Sequence, residues 1–274
     1  KVTGLLIIPF FALSLGSRSF GEIEFIFIFA NILSIFINAE LFQVLSPTFL
    51  KKKKTINDLK LIVDLKNFWI FWYLFFFLLF VSIIYIFKII SLKYFLVFVL
   101  SLFIVSLSNF FMDSFRWYGK IKLYQLATFL QFCITLLFGI FIVLSELISD
   151  YVYIAFLNMI LLPSIVIGIN EYILKTNFTF KYPNFRILIK KNKSFLQKCG
   201  KVTIYVSLGA LLINFDRILI KTIDQDLSLL GEASYSYRFA WGITSVFLIA
   251  SQATIQPKLI ELIINKSFSK NSNL

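Results

Sequence analysis

Residues 67–90 read NFWIFWYLFFFLLFVSIIYIFKII and contain one charged side chain, Lys88. A helix that crosses the hydrocarbon core of a bilayer needs about 20 consecutive, mostly apolar residues, and this stretch meets that length. The rest of the chain has the same character, since 59% of its 274 residues are hydrophobic, against roughly 45–50% in ordinary globular domains. The sequence therefore predicts an all-α integral membrane protein and excludes soluble enzyme folds.

Seven further stretches resemble 67–90, which makes about eight predicted spans. They are 2–16, 23–45, 67–90, 94–112, 123–145, 151–174, 202–222 and 232–256. Six of these spans lie over 1–174, a basic linker follows over 175–201, and two more spans with a tail occupy 202–274. The chain opens at Lys1 close to an apolar stretch and closes in a polar tail, so we expect a fragment of a larger protein.

The loops between the spans differ in their content of basic residues. Alternate loops hold 21 Lys and Arg residues on one side and 5 on the other, while Arg238 falls inside a span. Cytoplasmic loops retain Lys and Arg, so the first side is predicted to be cytoplasmic, together with the N-terminus. The chain is predicted to cross its membrane several times.

Composition also limits the chemistry of the chain. It has no His and two Cys, so the usual general base, proton shuttle and metal ligands are scarce. We expect no enzyme activity, no cofactor and no metal. The net charge of +13 lies in short loops, where it favours membrane lipids as partners over nucleic acid.

Polar residues inside the spans form stripes along single helix faces. At 100° per residue, the members of each stripe fall close to one line. The stripe on the seventh span is Thr203, Ser207, Asn214, Arg217 and Lys221. The stripe on the eighth span is Ser234, Arg238, Ser245, Gln252 and Gln256. The second span carries Asn31, Ser34 and Asn38, and the fifth carries Tyr124, Thr128, Gln131 and Thr135.

These stripes have more than one interpretation. In lipid, a polar side chain faces another helix or a wet cavity, and a stripe along a whole helix favours a cavity. Interhelical hydrogen bonds are the alternative for the fifth span, and snorkelling to the outer headgroups is the alternative for Arg217, Lys221 and Arg238. Asp216 lies away from the Arg217 stripe, where it either pairs with a neighbouring helix or binds a proton or Na⁺.

Three segments resemble a known family. They are GLLIIP at 4–9 with Leu15-Gly16 and Phe20-Gly21, RWYGK at 116–120, and FDR at 215–217 followed by LGEASYSY at 230–237 and Gln256-Pro257. Together they resemble bacterial O-antigen and polysaccharide flippases, which are related to multidrug and lipid II exporters. The resemblance implies a bacterial inner-membrane protein with two six-helix lobes around a central cavity that is lined by spans 1, 2, 7 and 8. This chain would then hold the first lobe over 1–174 and the first two helices of the second lobe over 202–274.

The same resemblance implies a function. The expected substrate is an undecaprenyl-diphosphate-linked oligosaccharide, which alternating access would carry from the inner to the outer leaflet. Cations would attract the diphosphate, amides would hydrogen-bond the sugar, and aromatic rings would stack on it. The expected binding residues are Arg217, Lys221, Arg238, Asn31, Asn38, Asn214, Gln252, Gln256, Tyr235, Tyr237 and Trp241, with Asp216 as the ion-coupling residue.

Two other functions stay open. A multidrug exporter of the same fold predicts acids in the cavity, whereas the stripes here are basic. A membrane-embedded polysaccharide polymerase or glycosyltransferase usually needs a sizeable outer loop, and the predicted outer loops are nine residues or fewer. Glu22 and Glu24 are the one close acid pair near that side.

Overall fold

The computed structural model describes residues 2–49, 56–117, 120–171, 193–223, 228–250 and 255 of the chain. These residues form helices and the turns between them, and no strand occurs among them. In chain order the helices are α1 Val2–Asn38, α2 Leu41–Phe49, α3 Ile56–Phe87, α4 Leu92–Trp117, α5 Ile121–Leu144, α6 Asp150–Ile169, α7 Lys193–Ile213, α8 Phe215–Ile223 and α9 Ser228–Ala250.

Within the described residues, six helical segments are long and apolar enough to cross a membrane. They are Ile7–Asn38, Phe68–Phe87, Leu92–Arg116, Ile121–Leu144, Asp150–Ile169 and Lys193–Ile213. The chain is therefore an all-α membrane protein, as predicted. The six do not include α8, which has nine residues, or α9, whose first half is rich in Ser and Tyr.

The first two predicted spans belong to one kinked element, α1. At Gly16 the backbone has φ 75° and ψ 156°, a conformation that is essentially restricted to glycine. Residues 17–22, which were predicted to be a loop, are helical and begin the segment 17–38, which we call the second arm of α1. The polar residues in 17–22 suggested a loop, but a change of direction at a single glycine is enough.

The second arm ends earlier than the predicted span 23–45. Ala39 and Glu40 both have positive φ, 51° and 46°, so the helical hydrogen bonding stops at Asn38 and restarts in α2. The Asn38 amide holds this end against α4 by donating to the Ser106 carbonyl over 3.0 Å. Burial raises the pKa of Glu40 to about 8, the Asp113 carboxylate acts in the same direction, and Arg116 opposes it.

The predicted span 202–222 is divided between two helices. Its first half belongs to α7, which begins at Lys193, and the helix is interrupted at Asn214 before α8 continues to Ile223. The Asn214 side chain donates to the Ala210 carbonyl over 2.7 Å, which satisfies an acceptor at the end of α7. Residues 175–192 of the predicted linker lie outside the described residues.

The second arm of α1 lies at the centre of the bundle, with α4 and α9 as its main neighbours. On the α6 side, the Tyr153 ring packs against Phe11 at 4.6 Å and Phe20 at 5.6 Å between ring centroids. On the α3 side, Trp72 donates its indole N–H to the Phe36 carbonyl of α1 over 3.1 Å. The buried polar residues of α1, Glu24, Ser34 and Asn38, are consequently surrounded by helices rather than by lipid.

Candidate functional site

Close packing of α9 against the second arm of α1 sets the geometry of the site. A Cβ added to Gly231 would lie 1.9 Å from the Ser17 carbonyl oxygen, so only glycine fits this contact. Seven residues further along each helix, Glu24 meets Arg238, and the distance from Nε to Oε2 is 2.5 Å. Equal offsets on the two helices show that they run in the same direction, with the ion pair about 10 Å along from the glycine contact.

The Glu24 carboxylate has a donor on each oxygen. Arg238 of α9 binds Oε2, and the Tyr153 hydroxyl of α6 donates to Oε1 over 2.7 Å. Glu24 is 1% exposed. A buried carboxylate is stable only when it is paired and hydrogen-bonded, so this three-residue network joins α1, α6 and α9.

Arg217 lies at the start of α8 and is 2% exposed. One of its terminal NH2 groups donates to the Asn214 side-chain oxygen, and its guanidinium carbon lies 3.6 Å from the centroid of the Tyr237 ring of α9. Its Nε has no hydrogen-bond partner among the described residues. Arg217 is therefore a buried cation that is stabilised by stacking, by one amide and by the Asp216 carboxylate, which lies 3.8 Å from its Nε and is too distant for a hydrogen bond.

Two charged neighbours of Arg217 on α8 differ in position. Lys221 lies one turn further on, and its Nζ is 5.3 Å from the centroid of the Phe25 ring of α1. Asp216 has its carboxylate 3.8 Å from the Nε of Arg217 but is 63% exposed. The two cations thus face α1 and α9. The helical phase predicts that Asp216 lies away from Arg217, but the carboxylate, although largely exposed, forms an ion pair with Arg217 on the same helix.

The stripe on α1 divides into two parts. Asn38 is buried and committed to α4, because its amide donates to the Ser106 carbonyl. Asn31 is exposed, donates to the Phe27 carbonyl of its own helix over 2.8 Å, and accepts a longer bond of 3.5 Å from the Asn109 amide of α4. The Asn109 side chain of α4 donates to Ser34 over 2.9 Å. Ser34 therefore joins α1 to α4, as Asn38 does.

The remaining predicted residues have varied surroundings. Tyr235 is exposed on α9, and Tyr237 lies beneath Arg217. The side chain of Trp241 and the whole of Gln252 and Gln256 lie outside what the structure describes. On α5, Thr128 and Thr135 donate to carbonyls of their own helix, so these two hydroxyls are satisfied without a cavity.

Sequence reasoning missed Glu24 and Tyr153 as parts of the site. Glu24 lies seven residues before Asn31 and fourteen before Asn38, so the α1 stripe could have been extended to it. Heptad spacing keeps residues on nearly the same face of a helix. Tyr153 had no comparable signal, because its role depends on the packing of α6 against α1.

Comparison with known proteins gives no family for this chain. No family model, no curated protein and no solved structure matches it. Within the described part of the chain, no group of three or more His, Cys, Asp or Glu residues is placed to hold a metal ion. The function of this chain is therefore inferred from the geometry of α1, α8 and α9.

Proposed function

We propose that this chain belongs to a flippase that carries an undecaprenyl-diphosphate-linked oligosaccharide from the inner to the outer leaflet of a bacterial inner membrane by alternating access. The observation that carries the proposal is Arg217, a guanidinium that is 2% exposed and whose Nε has no hydrogen bond among the described residues. Its ion-pair partner Asp216 lies 3.8 Å away and is 63% exposed, so solvent weakens the compensation that a buried cation in a membrane protein needs. A diphosphate group supplies an anion and accepts a hydrogen bond from this Nε.

Other residues of α1, α8 and α9 suit the other parts of such a substrate. Lys221 adds a second cation on the same face of α8, and guanidinium groups bind phosphate oxygens in a bidentate manner. Exposed Asn31 and Tyr235 offer an amide and a ring to the sugar. The polyprenyl chain would stay in lipid while the polar head passes between α1 and α9.

Other predicted roles follow from this proposal. Asn38, Asn214, Gln252 and Gln256 would bind sugar or phosphate in other states of the cycle, and Tyr237 and Trp241 would stack. Asp216 would bind the coupling H⁺ or Na⁺, and the N-terminus would be cytoplasmic. The exporter of organic cations receives less support, because the buried acid that it would need, Glu24, is already paired with Arg238.

The decisive experiment is deletion of the gene in the bacterium that carries it. Lipid-linked repeats should accumulate at the cytoplasmic face, where membrane-impermeant periodate added outside cannot oxidise them. If the repeats instead reach the outer face but stay unpolymerised, the flippase proposal is wrong and the chain is part of a polymerase.

Point variants then test whether the positive charge of Arg217 is needed for export. Arg217→Glu should reduce export more than tenfold at normal protein level, because it places an acid where the diphosphate would bind. Lys88→Glu is the matched control, since Lys88 is an exposed cation in the turn after α3. Unchanged export in Arg217→Glu would confine this residue to a structural role.

A further inference from the structure

Arg238 differs from the other two cations of the site because its acid is buried and hydrogen-bonded to it. Its Nε binds Glu24, which is 1% exposed, whereas the acid beside Arg217, Asp216, is 63% exposed and 3.8 Å away, and Lys221 contacts a ring. We propose that Glu24 is an internal competitor for Arg238, which the diphosphate of the substrate displaces so that α9 is released from α1. This inference rests on the proposed function and adds the residue that sets its selectivity.

The network is built for such an exchange. Glu24 has two donors from two different helices, and only one of them, Arg238, lies on α9. When Arg238 moves to a phosphate, the Tyr153 hydroxyl still donates to the carboxylate. The exchange therefore does not leave a bare acid in the interior, which would be costly.

Charge explains why a diphosphate could displace Glu24. A carboxylate offers one negative charge to the guanidinium, while a diphosphate offers more charge and more acceptor oxygens. A monophosphate has a smaller advantage over the carboxylate. Glu24 would consequently act as a threshold that admits diphosphate-linked lipids and rejects less charged ones, which is selectivity through competition.

Movement of α9 follows from its position. The pair lies about 10 Å along from the tight contact between Gly231 and the Ser17 backbone, counted at 1.5 Å per residue. Opening the pair would separate the helices at that depth while the glycine contact stays closed. The ion pair would then couple occupancy by substrate to the opening of the α1–α9 interface, which is a two-state element.

The test measures binding of farnesyl diphosphate and farnesyl monophosphate to the purified full chain in nanodiscs. Glu24→Gln retains the acceptor for Tyr153 but removes the charge that holds Arg238. It should bind the diphosphate on the order of tenfold more tightly and should discriminate less against the monophosphate. Glu22→Gln is the matched control, since Glu22 lies on the same arm and bonds Ser91 instead.

The outcomes separate the two proposals. If Glu24→Gln folds and binds both ligands as the unaltered chain does, the competitor role is overturned. Binding of the diphosphate by the unaltered chain would still support the flippase in that case. An unaltered chain that does not bind farnesyl diphosphate overturns both. If Glu24→Gln does not fold, Glu24→Asp retracts the carboxylate and should tighten diphosphate binding a few-fold, and an unchanged affinity in that variant also overturns the competitor role.

Discussion

The helices α1 and α3 both cross the membrane, but their surroundings are opposite. Of the 18 most apolar consecutive residues of each helix, 67% are buried in α1 and 11% in α3. The mean hydropathy of these stretches is 1.9 in α1 and 2.6 in α3, so both are apolar enough for a membrane. Hydropathy alone therefore does not distinguish the central helix from the peripheral one. Polar residues at heptad spacing make that distinction, because α1 carries Glu24, Asn31 and Asn38.

The largest expected effect concerns the charge at the centre of α1. Glu24→Leu leaves Arg238 buried without its acid and should lower the free energy of unfolding by about 3 kcal/mol, since breaking a buried pair is costly. The double variant Glu24→Leu with Arg238→Leu should recover most of that loss. Unfolding of each variant in detergent measures both values.

The control for this pair lies at the end of the bundle. Lys93 and Asp150 form an ion pair with an N–O distance of 3.0 Å, and the Lys93 side chain is 55% exposed. Lys93→Met should change the free energy of unfolding by less than about 1 kcal/mol. A Glu24→Leu loss as small as that of Lys93→Met would contradict the central position of α1.

Large-to-small substitutions compare the two helices directly. Ile37 of α1 is fully buried, and Leu78 of α3 is 62% exposed. Ile37→Ala should lower the free energy of unfolding by about 2–4 kcal/mol, because it leaves a cavity between helices. Leu78→Ala should cost less than about 1 kcal/mol, because lipid fills the space. Equal losses, measured in the same lipid nanodiscs, would mean that α3 is also packed against protein.

The break after α1 should make stability depend on pH. The pKa of Glu40 is raised to about 8, so the folded chain holds this proton at pH values where an unfolded chain has released it. Stability is therefore highest below the ordinary pKa of Glu and falls as pH rises toward 8. Asp113, Arg116 and Cys199 also interact electrostatically with Glu40.

The variant Glu40→Gln isolates this contribution. Its melting temperature should vary less between pH 5 and pH 9 than that of the unaltered chain, and it should exceed the unaltered value at pH 9. Parallel curves for the two proteins would assign the pH dependence to another group.

Sequence reasoning gave the peripheral helices closely. The predicted spans 67–90 and 123–145 differ by a few residues from the membrane-crossing segments Phe68–Phe87 and Ile121–Leu144, because lipid requires an uninterrupted apolar run. It gave α1 less well. A kink at one glycine leaves a short polar stretch helical, and that stretch has the same composition as a loop.

The site itself was predictable only in part. The phase of Arg217 and Lys221 on one face follows from helical periodicity, and the structure places both toward α1 and α9. The partner of Arg238 does not follow from periodicity, because Glu24 is 214 positions away in the chain. Ion pairs between distant helices depend on packing register, which here is set by the contact between Gly231 and Ser17.

The smallest expected effect separates the two amides of the α1 stripe. Asn38→Leu removes the bond to the Ser106 carbonyl and should cost about 0.6–1.7 kcal/mol of unfolding free energy, as interhelical hydrogen bonds in membranes do. Asn31→Leu removes a bond within its own helix and a long, exposed bond of 3.5 Å from Asn109 of α4, and it should change stability less. It should reduce export, because Asn31 is exposed to the proposed sugar. Unfolding in detergent measures the change in stability, and an export assay in cells measures the change in transport. The opposite pattern, with Asn31 the more destabilising and Asn38 the more important for export, would mean that α1 presents its other end to the substrate.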